Sequence, residues 1–421
     1  MVMVVLATLT GTGYGSQAWL AGSAAWLAGM LLWPMLLASQ KKQAIFLAGI
    51  GVLAFGVSVL GGQHPIWTTM LTQNIALLGM LGAVSFLQLL KAPNDAIEAL
   101  PRGRIALWRT ALGVHLLGAV INLSAVFIMA ERIRALGKLR PEQAMILSRA
   151  FLAAALWSPF FAATAIALAY APGANPLHLA SAGGALAAVL LVIAVRDIEK
   201  SFDTTICDFV GYPIHLRSLQ IPVLLSILVG AGHWLLPHWT ALSVISLASL
   251  AIACLAVTFE RGVKSGSISI YHHCRDRLPG MAGELVLFLS AGVFASGLQS
   301  LISQGGFWIP FSSFGAVEAA LVLAIMILLS ILGIHAVISI TMISSWLAPI
   351  HPEPNLLALV FVESWAIGLA AGPLSGIHIA IQSRFGISAN TLSRGNMRYC
   401  LKAYIVAALW LVTYGELLGV R

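Results

Sequence analysis

Residues 102–140 read RGRIALWRTALGVHLLGAVINLSAVFIMAERIRALGKLR, an apolar run from Ala106 to Ala130 with Arg102, Arg104 and Arg109 at one end and Arg132, Arg134, Lys138 and Arg140 at the other. Such a run is long enough to cross a bilayer, yet Lys and Arg gather in short cytoplasmic loops, so both ends belong on one side. The physical solution is a re-entrant helical hairpin that dips into the membrane and returns, tolerated because protein surrounds it.

The rest of the chain calls for the same solvent. Of 421 residues, 59% are hydrophobic and only 9% charged, with a mean hydropathy of +0.94, a balance no water-exposed surface of this size tolerates. Lipid offers no partners to backbone N–H and C=O groups, so continuous apolar runs must be helices, and their lack of alternation disfavours a barrel. The net charge of +8 serves topology and anionic lipid, with no nucleic-acid partner implied. Cys207, Cys254, Cys274 and Cys400 lack the spacing of a disulfide framework or metal site, and His272-His273-Cys274 is too compact to suggest one. The opening MVMVVLATLTGTGYG has no basic region before its apolar stretch, so it is expected to be retained rather than cleaved.

Further apolar runs fall at Trp19 to Ala38, Ala44 to Leu60, Thr69 to Leu90, Ala144 to Tyr170 and Leu179 to Val195, then at Ile221 to Leu236, Thr240 to Phe259, Gly280 to Ile302, Gly315 to Ile350, Leu356 to Ile381 and Ala403 to Leu418. Basic residues sort their connections. Lys41 and Lys42, then Lys91 to Arg109, Arg132 to Arg140, Arg196 to Arg217, Arg261 to Arg277 and Arg384 to Lys402 lie inside. Gly61 to Pro65, Pro172 to Pro176, His233 to His238, Ser303 to Ser313 and His351 to Pro354 carry no Lys or Arg and lie outside. This assignment needs a second hairpin, Gly315 to Ile350, entered from outside. With both hairpins in place, every Lys and Arg except the terminal Arg421 is inside, and both termini are outside. The expected fold is all-α: about ten transmembrane helices plus two re-entrant hairpins, in a bacterial-type cytoplasmic (inner) membrane.

The hairpins belong to two similar halves, residues 1–200 and 201–421. Gly113-Val114-His115 matches Gly333-Ile334-His335, and Val84-Ser85-Phe86-Leu87-Gln88 matches Ala295-Ser296-Gly297-Leu298-Gln299. After each hairpin comes a span interrupted near its middle, at Ser158-Pro159 and at Gly372-Pro373-Leu374-Ser375-Gly376. Equivalent elements entered from opposite sides make an inverted repeat, a construction of secondary transporters. Because proline removes a donor and clashes with the preceding turn, each interrupted span reads as two half-helices whose exposed ends can hold ions; a plain kink is the alternative.

This order of helix, hairpin and broken helix, in Leu77 to Tyr170 and again in Leu285 to Ile381, resembles the ion transporter superfamily, which includes dicarboxylate and citrate symporters, arsenite pumps and sodium/proton antiporters. The resemblance implies a homodimer with a scaffold and a moving domain, and substrate held between hairpin tips and helix breaks. Gly118 to Ser124, containing Asn122 and Ser124, resembles a hairpin tip; Ser158-Pro159 with Thr164 resembles the small-polar break. The family's Ser-Asn-Thr signature is absent, and the second hairpin offers His335, Ser339 and Thr341 instead.

Polar groups within spans are costly and should face protein or water. Glu363 is the most informative: ionised it needs a partner, and neutral it carries a proton, unless it is a structural ion-pair member. His378 and His335 are candidate substrate contacts, His378 also a proton carrier; a hydrogen-bonded structural role competes for each. Asn122, Ser124, Ser158, Thr164, Ser339, Thr341 and Ser375 offer uncharged hydrogen bonds to a carboxylate or oxyanion, although Ser and Thr as often bond their own helix's carbonyls. Arg149, near an inner end, reads as a snorkelling side chain, with pairing to a substrate anion as the alternative. Trp67, Trp108, Trp234, Trp239 and Trp308 fit an interfacial belt.

The expected function is a secondary active transporter of a small anionic solute, an organic acid or oxyanion, coupled to H+ or Na+, with no other cofactor. A sodium/proton antiporter or channel is the alternative. The chain has no H-E-x-x-H, G-x-S-x-G or P-loop, which leaves a lipid-active enzyme the weaker reading.

Overall fold

The computed structural model describes residues 1–13, 18–63, 66–90, 100–135, 137–212, 220–302 and 311–419. His64, Pro65, Lys91, Arg217, Trp308, Arg421 and most of the loop from Ser303 lie outside them. Among the described residues no strand forms, and one backbone bridge pairs Arg102 with Val210. Among the described residues eight segments are long and apolar enough to cross a membrane, and three shorter apolar helices join them: Val223–Leu235, Ala316–Ile331 and Ala336–Ile350. The chain is a polytopic α-helical membrane protein.

It divides into two compact units that cut across the halves divided at residue 200. The first comprises Met1–Leu90, Leu225–Ser312 and Ile340–His351; the second comprises Lys91–Leu224, Ser313–Ser339 and Pro352–Arg421. The first unit holds α1 (Val2–Thr10), α2 (Ala18–Leu32), α3 (Ala38–Leu60), α4 (Thr68–Thr72) and α5 (Ile75–Ser85). The second holds α6 (Gly103–Ile121), α7 (Leu123–Arg134), α8 (Pro141–Ala153), α9 (Ala162–Tyr170) and α10 (Pro176–Phe202). The boundary falls within α11 (Gln220–Leu235). Next, α12 (Ala241–His272) and α13 (Ala282–Ile302) belong to the first unit and α14 (Ala316–Ile331) to the second. The boundary recurs within α15 (Ala336–Leu347), and α16 (Pro354–Ala371), α17 (Gly376–Phe385) and α18 (Ala389–Leu417) complete the second unit.

In the first unit α3 and α13 pack along their length. Their glycines permit it: a Cβ on Gly297 would overlap the carbonyl oxygen of Gly51, and Gly51 in turn sits against the backbone of Val293. Small residues let helix backbones approach in lipid, where dispersion and polar contacts replace the hydrophobic drive. Ser58 donates to the carbonyl of Ser300 at 2.9 Å across the same seam.

Several expected spans are interrupted or extended; α18, for one, begins at Ala389 rather than Ala403, so Arg394, Arg398 and Lys402 are helical. Thr69 to Leu90 is broken between α4 and α5, where Asn74 adopts a left-handed φ of 66° and its amide donates to the Phe288 carbonyl at 2.9 Å. That bond to α13 fixes a conformation that Asn tolerates better than most residues. Helix α12 runs beyond Phe259 to His272 with a sharp bend at Gly262, φ 76°, so Arg261 and Lys264 are helical rather than in a loop.

The α3/α13 seam generates a prediction. Gly297→Ala should lower stability by about 1–3 kcal/mol through overpacking, read as a lower thermal midpoint in detergent. Gly49→Ala, where a Cβ meets nothing within 4 Å, should leave it unchanged.

Candidate functional site

Within the second unit the two ends of α6–α7 meet. Arg102, before α6, pairs with Val210; Gln143, at the start of α8, donates to the Val210 carbonyl at 2.9 Å; and Ile133, at the end of α7, lines the same cavity as Gln143 and Val210. That cavity, about 810 Å³, is also lined by Lys138, Arg140 and Asp208. The chain therefore reverses at Asn122, whose φ of 53° and ψ of −143° end one helix and begin the next. At 12 residues, α7 is about 18 Å long, too short to cross a bilayer.

The tip of this hairpin rests on a helix break. After α8 and a short 3-10 turn, the chain is non-helical through Ser158 and Pro159 until α9 begins at Ala162. Asn122 donates to the Phe160 carbonyl at 3.3 Å. The Ser158 hydroxyl donates to the Ala119 carbonyl at 2.5 Å and accepts from the Phe160 amide at 3.2 Å. Thr164 donates to the Ser158 carbonyl at 2.7 Å. One side of the break is closed by Trp157, whose indole N–H donates to His115 Nε2 at 3.0 Å while His115 Nδ1 bonds the Ala150 carbonyl. Asn122, Ser158 and Thr164 thus form one cluster. Ser124 lies just beyond the tip, half-buried.

A second break separates α16 from α17 at Gly372 to Ser375. A helix end leaves its last carbonyls without intrahelical partners, and here side chains supply them. Asn396 donates to Ala370, Ser393 to Ala371 and His378 Nδ1 to Gly372, at 3.0, 2.5 and 3.0 Å, and Ser330 adds a second donor, at 2.8 Å, to the Gly368 carbonyl that the Gly372 amide already bonds. At the other side of the break the buried Ser375 hydroxyl has no hydrogen-bond partner among the described residues. A Cβ on Gly376 would meet nothing within 4 Å, so there is open space beside the N-terminus of α17.

Glu363 stands on α16, a helix packed on all sides by α8, α9, α10, α14 and α18. It is fully buried, and neither carboxyl oxygen has a hydrogen-bond partner among the described residues. His335 lies in the turn between α14 and α15, where Gly333 has a φ of 90°; its Nδ1 accepts from the Val337 amide, and its ring meets Trp365 edge-on at 5.8 Å. The Gly-Val-His and Gly-Ile-His triplets are therefore not in equivalent places: His115 is within α6, His335 in a turn. Ser339 bonds the Ala336 carbonyl of its own helix, and Thr341 falls in the first unit.

Arg149 does not snorkel. It is 1% exposed: Nε donates to Asn396 Oδ1 at 2.7 Å, Nη1 to Asp197 at 2.9 Å and Nη2 to the Gly395 carbonyl at 2.9 Å, with the guanidinium 4.8 Å from the Tyr399 ring. Lys402 adds a second cation to Asp197 at 2.6 Å. Planar, fork-shaped donors suit such multiple pairing, which a side chain stretched to the interface would forfeit. Neither Asn396 nor Asp197 stands out in the sequence, since both fall in stretches read as inside connections, Asn396 between Arg394 and Arg398 and Asp197 beside Arg196.

The two crossing pairs run oppositely. α8–α9 leads from Gln143 to the loop at Asn175, whose amide donates to Asn355 Oδ1 at 2.7 Å beside the start of α16. α16–α17 returns toward Arg384, which pairs with Glu131 of α7.

Neither a family model nor a curated protein sequence matches the chain. In structure it is similar to a solved transporter, described as the Alcanivorax borkumensis YdaH transporter with an unusual topology, at 12% identity and a TM-score of 0.43 over 88% of this chain and 98% of that one.

Removing Arg149 leaves the Asn396 amide oxygen and the Gly395 carbonyl without that donor, while the partly exposed Asp197 keeps the half-exposed Lys402. Arg149→Ala should cost about 2–4 kcal/mol and Lys402→Ala less than about 1 kcal/mol, both measured by denaturation in detergent.

Proposed function

We propose that this chain is a secondary active transporter that moves a small anionic solute, an organic acid or oxyanion, across a cytoplasmic membrane by alternating access coupled to H+ or Na+. The observation that carries the reading is the hairpin of α6 and α7, with both ends at one basic face and its tip bonded to an unwound segment of the neighbouring broken helix. Non-helical backbone at membrane depth persists only where protein buries it or where it lines a cavity, and broken helices are where carriers place solute and coupling ions. The hairpin is read as re-entrant from the inside and α14–α15 as its inverted counterpart from the outside, with both chain termini outside.

The breaks provide the means to hold an anion. At the second break the Ser375 hydroxyl and the first amides of α17 are uncharged donors, and helix N-termini favour negative charge; Asn122, Ser158, Thr164 and His378, which donate to carbonyls here, are proposed to turn to the solute when it binds. Ser124, His335 and Ser339, which belong to the same unit, are assigned to the solute path. Coupling falls to Glu363. A carboxyl buried without a partner is stable in lipid only while protonated or while it holds a cation, so binding and release of that ion belong to the transport cycle. The assembly is proposed to be a homodimer.

Reconstituted vesicles test this. Organic acids and oxyanions that raise the thermal midpoint in detergent identify ligands of the folded state; their uptake should need a proton or sodium gradient, fall by about tenfold or more in Glu363→Gln, and weaken in Asn122→Ala. Uptake indifferent to gradient collapse and to both substitutions overturns the reading.

A further inference from the structure

The amide of Asn396 has no freedom of orientation. Arg149 Nε can only donate, so the atom facing it at 2.7 Å is Oδ1; the Ala370 carbonyl can only accept, so the atom facing it at 3.0 Å is Nδ2. The remaining amide proton points to His378 Nε2 at 3.3 Å. An amide nitrogen accepts nothing, so Nε2 must be the acceptor and the ring proton must sit on Nδ1, where the Gly372 carbonyl receives it at 3.0 Å. One tautomer of a neutral imidazole satisfies the whole set.

A proton on Nε2 would place two donors face to face. Rotating the amide would not relieve them, because it would turn Nδ2 toward a guanidinium and Oδ1 toward a carbonyl. We infer that Asn396, locked by Arg149 and the Ala370 carbonyl, makes His378 a proton-operated latch between α17 and α18: the neutral ring closes the second break, and its protonation parts the two helices there.

The surroundings favour a switch rather than a permanent ion pair. α17 packs against α18 and α8. α8 contributes Arg149; α18 contributes Tyr399 and, beyond it, Lys402; Asp197 of α10 is held between the two cations, and Arg384 is near the far end of α17 itself. Glu363 precedes Gly372 on α16 by about 13 Å of helix. Among the described residues no carboxylate is within ion-pairing distance of the imidazole, so a protonated ring has no counter-charge to keep it in place. The network does not relay protons to His378, since a guanidinium cannot give one up; open space lies beside Gly376, two residues before the ring. Asn396 and Arg149 act as positioning residues.

The latch rests on this geometry alone, and its place in the transport cycle rests on the proposed function. Hydrogen exchange of the full-length protein in detergent, corrected for the intrinsic effect of pH, should show the amides of residues 376–385 exchanging about fivefold or more faster at about pH 5 than at about pH 8. The difference should vanish in His378→Gln, which cannot titrate. It should also vanish in Asn396→Asp, whose carboxylate keeps the Arg149 bond and accepts from a protonated ring. ¹⁵N-histidine spectra of the wild type near pH 8 should report the proton on Nδ1. Equal exchange at both pH values in the wild type, a difference that persists in His378→Gln, or an Nε2–H tautomer overturns the latch. No measurement here requires a solute, so its failure is separate from failure of uptake in vesicles.

Discussion

A peptide group at membrane depth has no water to bond, and in the second unit that constraint falls on two places where a helix stops partway through its span. The first break is answered by a neighbour that folds back on itself: the hairpin tip brings Asn122 and the Ala119 carbonyl to Phe160 and Ser158. The second is answered by long helices alongside, with Ser330 from α14 and Ser393 and Asn396 from α18 each bonding one of the last carbonyls of α16. In both, carbonyl ends are occupied by side chains, while the helices that resume, α9 and α17, start with amides available for a ligand.

The same demand for partners separates the charges of the span interiors into two kinds. Arg149 is buried and well partnered: each of its three nitrogens donates and its face lies on Tyr399. Such a group ties α8, α10 and α18 together at their junction. Glu363 is buried and has no hydrogen-bond partner among the described residues, an arrangement that stability alone does not favour. That cost, carried in the middle of an enclosed helix, is the observation on which the proposed ion coupling rests. Asn396 ties Arg149 to the second break, since it bonds the guanidinium on one side and the His378 ring on the other.

What the sequence by itself determined is the solvent and the helices. Apolar runs and their basic borders are properties of short stretches, so spans such as α10, and the expectation that α6–α7 folds back between its two basic ends, were legible without knowledge of any distant residue. Pro159 and Gly372-Pro373 were legible as interruptions for the same reason, because proline lacks the donor a continuing helix needs. The tertiary structure decided everything that depends on a partner far along the chain. Arg149 is bonded to a residue 247 positions away, and no local pattern distinguishes that from a side chain reaching to the interface. The break at Asn74 is held by a carbonyl 214 positions away; its flanking residues are as apolar as those of an unbroken span. Hydropathy registers what a residue leaves in water, whereas hydrogen-bond satisfaction inside a membrane is settled only when the helices meet.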